Sequence, residues 1–527
     1  MKILFHHLIE NIAPSQDAAT ALIDRQETVT YAGLWQEVRA MAGALQKLGL
    51  ERYQRMAVYL EKRKETAVSF FSASAAGGVF VPINPQLRSL QVGHILRDCS
   101  VRILVTNAER LDALQDELQQ CPELKTILIV GKLQDRSWNL PGIELLPFGD
   151  WNGALRNCGT VETDMAAILY TSGSTGKPKG VVLSHRNLMV GAESVSHYLD
   201  VQSGDRILAA LPLSFDAGLS QLTTAFYKGA SVVLLNYLLP RDVIRQCEKH
   251  RITGLTGVPP LWIKLAQEVW PTAAAESLSY FANTGGHMPR KTLEALRKIF
   301  PQARPFLMYG LTEAFRSTYL DPAEVDNRPD SIGKAIPNAE ILILGEDGRE
   351  CAPGEVGELV HRGPLVAMGY WNAVEQTALR FRAMPYRSSG LINPEFAVWS
   401  GDLVRKDEDG FLYFVGRDDD MIKTSGYRVS PSEIEEVVLS SGLVSEAVAL
   451  GMPDDLLGQK IMVLVVTDAD DRFDAEKLLD HCRQHLPLYM VPHEIERREV
   501  LPRNPNGKFD RAVLKHEQLE AVGDQLS

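Results

Sequence analysis

The chain has 527 residues, 45% of them hydrophobic and 23% charged, a make-up ordinary for a globular protein and too long for a single core. Its 55 Lys and Arg against 67 Asp and Glu give a formal net charge of −12, and no basic stripe runs along it, which excludes a typical nucleic-acid binder. The six cysteines, Cys99, Cys121, Cys158, Cys247, Cys351 and Cys482, form no C-x-x-C pair or His/Cys cluster, so a zinc site and a disulfide framework are not indicated and a reducing, cytoplasmic compartment is expected.

The N-terminal stretch MKILFHHLIENIAP is broken by two His and a Glu, which fits neither a signal peptide nor a spanning helix. Apolar runs elsewhere are of strand length, so no membrane span is expected. Up to about residue 150, amphipathic stretches such as TYAGLWQEVRAMAGALQKLGL alternate with buried-strand runs such as RMAVYL and VRILVTN. Strands alternating with helices predict an α/β fold with a sheet that is at least partly parallel.

From Tyr170 to Gly180 the chain reads YTSGSTGKPKG between two apolar runs, which predicts a loop between strands. Thr171, Ser172, Gly173, Ser174, Thr175 and Gly176 offer hydroxyl and backbone donors, and Lys177 and Lys179 flank Pro178 with positive charge. Together they describe a cradle for a phosphate chain. A Walker loop needs glycine where Thr171 stands and a hydroxyl residue where Pro178 follows Lys177, so that alternative fails at two positions. A flexible Ser/Gly linker explains the composition but not the lysines. Ser184 is placed to cap the next helix, and His185 just inside it is more often a locally satisfied histidine than a functional one.

In RILAALPLSFDAGLSQ a buried strand leads through a turn at Pro212 to Phe215 and Asp216 at the mouth of a helix, where the carboxylate can serve simply as an N-cap. Gly285 and Gly286 permit close backbone approach to a planar group. The strand PFLMYGLTE ends in Tyr309, a flat face, then Thr312, a hydroxyl, and Glu313, a carboxylate suited to Mg²⁺ beside phosphates. Arg316 follows, in a place where a solvated surface arginine is the commoner outcome.

Residues 330–415 carry short alternating stretches and turns at Asp347-Gly348 and Asp409-Gly410, predicting an antiparallel, barrel-like subdomain that contains Asp402. The domain boundary is placed at Arg417, ahead of an acidic triplet containing Asp419 and a Ser-x-x-Glu capped helix from Ser430. This gives domains 1–416 and 417–527, the second predicted as a small α+β unit. Near its end, Lys508 stands on an Asn506-Gly507 turn, by default a surface lysine.

These motifs, in this order across almost the whole chain, resemble the adenylate-forming superfamily of acyl-CoA synthetases, aryl ligases, luciferases and peptide-synthetase adenylation domains. SFDAGLSQLTTAF, MYGLTEAFRSTYL and IKTSGYRVSPSE look most like the AMP-forming acyl-CoA ligases associated with bacterial exosortase systems. The resemblance implies ATP, with Mg²⁺, on the loop from Thr171 to Lys179, adenine on Tyr309, phosphate on Thr312, the metal on Glu313 and the ribose on Asp402, with Arg417 at ribose or phosphate. It places Arg316 in the acyl pocket and makes Phe215-Asp216 similar to the motif whose Asp binds a substrate ammonium in amino-acid-activating domains. It also implies a lid that turns about Asp419 and carries Lys508 to the carboxylate and α-phosphate.

The implied reaction joins a small carboxylic acid to ATP as acyl-adenylate, releasing pyrophosphate, and then passes the acyl group to the thiol of coenzyme A or of a carrier protein's phosphopantetheine. A stand-alone adenylation enzyme loading a separate acyl or peptidyl carrier protein is an alternative, as is a nucleotide-binding regulator without chemistry. The intact loop, Glu313, Asp402 and Lys508 argue against the last.

Overall fold

Short apolar runs bounded by Gly and Pro form four sheets among the described residues. The computed structural model describes residues 3–16, 18–132, 137–149, 151–171, 178–384, 394–417, 421–467, 473–503 and 509–524. One sheet runs from Glu144–Pro147 through Thr126–Val130, Ile103–Asn107, Arg55–Val58 and Val79–Pro82 to the antiparallel hairpin of Met165–Thr171 and Lys179–Ser184. The other large sheet has parallel strands Ser231–Leu234, Arg206–Ala209, Gly254–Gly257, Tyr280–Asn283 and Arg304–Tyr309 at its centre.

Between these sheets pack the helices Tyr31–Lys47, Lys64–Ala75, His185–Tyr198 and Asp216–Lys228. Their buried faces share one core with Phe80 and Leu169 of one sheet and Ile207, Val232 and Met308 of the other. Ser184 caps the helix His185–Tyr198 as the sequence predicts, accepting from the amide of Asn187. His185 is buried and its Nδ1 accepts from the amide of Phe5, so it is a satisfied core histidine whose burial pulls it down to about 4.

An antiparallel sheet around Val356–Arg362 and Phe396–Lys406 follows, with Asp402 on its long strand, and Gly348 and Gly410 take the positive φ of the predicted turns. The last sheet, from Ile422–Thr424 to Glu494–Arg497, forms a small α+β lid with the helices Pro431–Ser440 and Ala475–His485 over its own core. Here a local signature is overruled. Ser430 makes no side-chain cap, and Glu433 turns away into the contact between lid and body. All six cysteines carry free thiols, five of them buried, and no helix of the described residues is long and apolar enough to cross a membrane.

Candidate active site

The strand Arg206–Ala209 has Ser231–Leu234 on one side and Gly254–Gly257 on the other, so the chain leaves it in both directions and a crevice opens beyond its carboxyl end. A cleft of about 680 Å³ lies there, lined by the ends of the parallel strands, the hairpin and the lid. Thr171, Phe215, Asp216, Gly285, Tyr309, Thr312, Glu313, Arg316 and Asp402 all line it. The hairpin puts Thr171 opposite Lys179, so both ends of the loop sit at one point of the wall. Ser172 to Lys177, Asp419 and Lys508 lie outside the described residues. Arg417 ends the strand Leu412–Arg417, paired with Asp402 across the ladder. Gly286 lies next to the cleft glycine Gly285, where a Cβ would meet the Pro259 ring.

Three polar pairs shape the body side. The Tyr309 hydroxyl donates to Asp402 Oδ2, which fixes the tyrosine ring and the carboxylate to each other although they come from different sheets. Glu313 is 6% exposed and accepts at Oε1 from the Tyr370 hydroxyl at 2.6 Å, while Lys179 Nζ lies 5.5 Å from the centre of the same tyrosine ring. A buried carboxylate aimed into a cleft beside a hydroxyl, Thr312, is a hard oxygen donor set that fits Mg²⁺.

The third pair is Asp216 with Arg316, joined by Arg316 Nη1 donating to Asp216 Oδ2 at 3.1 Å. Asp216 is the first residue of its helix and Phe215 the cap position, so the carboxylate is not an N-cap. Burial pushes the Asp216 carboxyl up, opposed by Arg316 and the helix's first amides, and the charge of Glu313 adds to the rise. Arg316 is not on the surface: its side chain is 3% exposed against 15% for Asp216. After the single helical turn Thr312–Ala314, Phe315 adopts φ +56°, a left-handed value that costs a bulky residue about 1–3 kcal/mol and turns the chain inward. At Gly310 a Cβ would come within 3.3 Å of the Arg316 Cα, so the glycine eases this close return of the backbone.

The lid closes the cleft with the hairpin Ile422–Thr424 and Tyr427–Val429. At its turn Gly426 takes φ +81°, and a Cβ there would lie 2.8 Å from Val258, so only glycine lets the hairpin approach this closely. Gly285, expected to face a planar ligand, faces the Gly426 backbone in this arrangement. Tyr427 packs edge-on against Phe215 and face-to-face on Tyr489, with centroids 5.0 and 3.7 Å apart. Across the same contact Arg88 and Gln91 donate to the carbonyls of Arg483 and His485.

Local pattern did not point to Tyr370, 57 positions from Glu313, or to Lys62. Lys62 lines the cleft with Nζ donating to the Ala210 carbonyl at 2.8 Å, and burial lowers it to about 7. No sequence signal separates it from the neighbouring Lys64 of EKRKE.

The chain matches the family model described as AMP-binding enzyme over residues 9–371, and that of the AMP-binding enzyme C-terminal domain over residues 433–508. It is 32% identical over 510 residues to an L-proline–[L-prolyl-carrier protein] ligase of Streptomyces coelicolor, covering 94% of this chain and 93% of that protein. It is 29% identical over 552 residues to a long-chain-fatty-acid–CoA ligase of Salmonella typhimurium, covering 98% and 95%. The o-succinylbenzoate CoA synthetase of Bacillus subtilis, 28% identical, superposes with a TM-score of 0.82 as a double mutant bound to a product analogue, covering 97% of this chain and 98% of that one. In complex with its acyl-adenylate intermediate the same synthetase superposes at 0.67 over the same shares of each chain.

Proposed function

The chain belongs to the AMP-binding enzyme family and is an AMP-forming acid–thiol ligase, and from that premise we propose how its residues divide the work. A carboxylate is a poor acyl donor, and activating it on the α-phosphate of ATP brings several anions together. The site therefore needs concentrated positive charge and fixed donors more than a general base. The loop from Thr171 to Lys179 holds the β- and γ-phosphates, Tyr309 stacks on adenine and Asp402 takes the ribose hydroxyls. Arg417, paired with Asp402 across the ladder, reaches ribose or phosphate. Glu313, with Thr312 beside it, would hold Mg²⁺, which supplies charge neutralisation at the phosphates. Lys508 supplies the cation at the α-phosphate while an acid oxygen displaces pyrophosphate.

The second half-reaction needs a thiol at the adenylate. The free thiol of coenzyme A and a carrier protein's phosphopantetheine present the same reacting arm, and relatives of both kinds match the chain along nearly its whole length. The seating of the Gly426 hairpin on Val258 and Gly285 supports a lid pose suited to this step. So does the better superposition on the synthetase carrying a product analogue. Turning about Asp419 exchanges this pose for the one that brings in Lys508. A small carboxylic acid is the substrate, Asp216 takes its amine, and the free cysteines fit a reducing, cytoplasmic setting.

The observation that carries this function is the buried Glu313 carboxylate, aimed by Tyr370 into a cleft shared with the loop ends and the Tyr309–Asp402 pair. The test is pyrophosphate release from ATP across amino, aryl and fatty acids, followed by thioester formation with coenzyme A and with a phosphopantetheinylated carrier. AMP and a thioester are expected with at least one acid. Protein that makes no AMP with any acid would remove the proposed function.

A further inference from the structure

The floor of the acyl end of the cleft is a closed ion pair. Arg316 and Ala217 line both the cleft and a small chamber behind it, and that chamber is walled partly by Ser220, Gln221 and Thr224 of the Asp216 helix. An alkyl tail directed at this floor would have to displace a buried guanidinium from its carboxylate, and the chamber behind, of about 10 Å³, has no room to receive it.

Charge balance narrows the guest further. The pair is neutral as it stands. A substrate bringing only an ammonium leaves a net positive charge in a desolvated pocket. One bringing only a second carboxylate adds a negative charge close to both Asp216 and Glu313, whose charges already oppose each other. A substrate bringing both can trade partners, its ammonium to Asp216 and its carboxylate to Arg316, and keep the site neutral. Arg316 has the donors for this: only Nη1 is spent on Asp216, and its buried Nε has no hydrogen-bond partner among the described residues.

Spacing then fixes where the two charges sit. The interacting atoms of Asp216 and Arg316 are 3.1 Å apart, so the complementary groups must be equally close, as an ammonium and a carboxylate on one carbon are. We propose that the Asp216–Arg316 floor reads the α-ammonium and α-carboxylate of an amino dicarboxylic acid, and that the carboxylate activated is the distal one. An oxygen of that distal carboxylate forms a bond to the α-phosphorus of ATP as the bridging bond to the β-phosphate breaks, and pyrophosphate departs with the electron pair. This inference rests on the ligase function proposed above and adds to it the identity and orientation of the acid.

The full-length protein is assayed with ATP, Mg²⁺ and hydroxylamine against L-aspartate, L-glutamate, succinate, β-alanine, L-alanine, L-proline and dodecanoate. Hydroxylamine nitrogen attacks the adenylate's acyl carbon, AMP leaves, and the hydroxamate records which carboxylate was activated. The expected result is AMP formation with aspartate or glutamate at least tenfold above the other acids, and a β- or γ-hydroxamate. Arg316→Gln should lower use of aspartate at least tenfold relative to β-alanine, which is aspartate without its α-carboxylate. An α-hydroxamate, or a preference for alanine, proline, succinate or dodecanoate, overturns the inference while leaving the ligase function standing. No AMP with any acid overturns both. The wild-type panel decides the matter even where the Arg316 variant fails to fold.

Discussion

On the body side of the cleft, Asp216, Glu313 and Asp402 each hold a partner from another element, Arg316, Tyr370 and Tyr309. On the lid side, Tyr427 and Tyr489 meet the body and each other by ring packing, while Ser430 Oγ and Glu433 Oε2 are buried without a hydrogen-bond partner among the described residues. The first wall is organised before any ligand arrives, which is what stabilising developing charge requires. The second meets the body through ring packing and through hydrogen bonds from Arg88 and Gln91 to lid backbone carbonyls, and it keeps polar side-chain atoms unmet. That difference suits the fixed binding surface and the turning lid proposed above.

The largest break in this comparison is expected from Lys508→Ala, which removes the cation proposed above to reach the α-phosphate. Pyrophosphate exchange should fall by ~10² to 10³, while thiolysis of a chemically prepared acyl-adenylate persists. Undiminished exchange would take the lid out of adenylation. Next comes Tyr370→Phe, which leaves Glu313 without its aiming hydroxyl. A hydrogen bond to a charged group contributes about 1.5 kcal/mol, so adenylation should drop roughly tenfold, with the loss partly recovered at high Mg²⁺. An unaltered rate and Mg²⁺ dependence would show that Glu313 needs no such support.

Smaller effects sharpen the lid side. Tyr489→Ala loses one stacked pair, worth about 1 kcal/mol, and should slow thiol transfer about fivefold and adenylation less. Equal loss in both steps, followed by stopped-flow single turnovers, would mean the stack supports the fold rather than the pose. The smallest and most diagnostic is pH. Burial raises the Glu433 carboxyl from 4.5 to about 8, with Glu436 adding to the rise, Gln91 opposing it, and Tyr489 and Asn84 sharing its surroundings. An acid raised on burial favours the buried pose when protonated. That contribution is complete below 4.5 and declines as pH rises, until it is gone above about 8. Thiol transfer relative to adenylation should therefore fall severalfold from neutral to mildly alkaline pH, and Glu433→Gln should flatten the profile. A profile unchanged in the variant would dissociate Glu433 from the pose.

Much of the site could be read before folding. Apolar runs on either side of the Thr171–Lys179 loop made its hairpin legible, and Tyr309 to Glu313 fall at a strand end because the strand's apolar residues stop there. What could not be read was set by contacts between distant elements. Arg316 looks like a surface residue until the positive φ of Phe315 turns it inward, and a run of side-chain types does not report that dihedral. Ser430 and Glu433 spell a capping box, yet the lid–body contact claims the glutamate. Asp216 was visible as a helix-mouth carboxylate, but its partner lies 100 positions away.

A mixed anhydride of acyl group and phosphate reacts with any thiolate it meets, including one belonging to the catalyst. Burial pushes Cys99 and Cys247 up to about 12 and Cys121 and Cys482 to about 11, and none of the six cysteines lines the cleft. At neutral pH fewer than roughly one in 10³ of those four side chains is ionised at any moment. The protein thus keeps those four thiols protonated and out of the cleft, so that the acyl group leaves on a guest thiol instead of marking them.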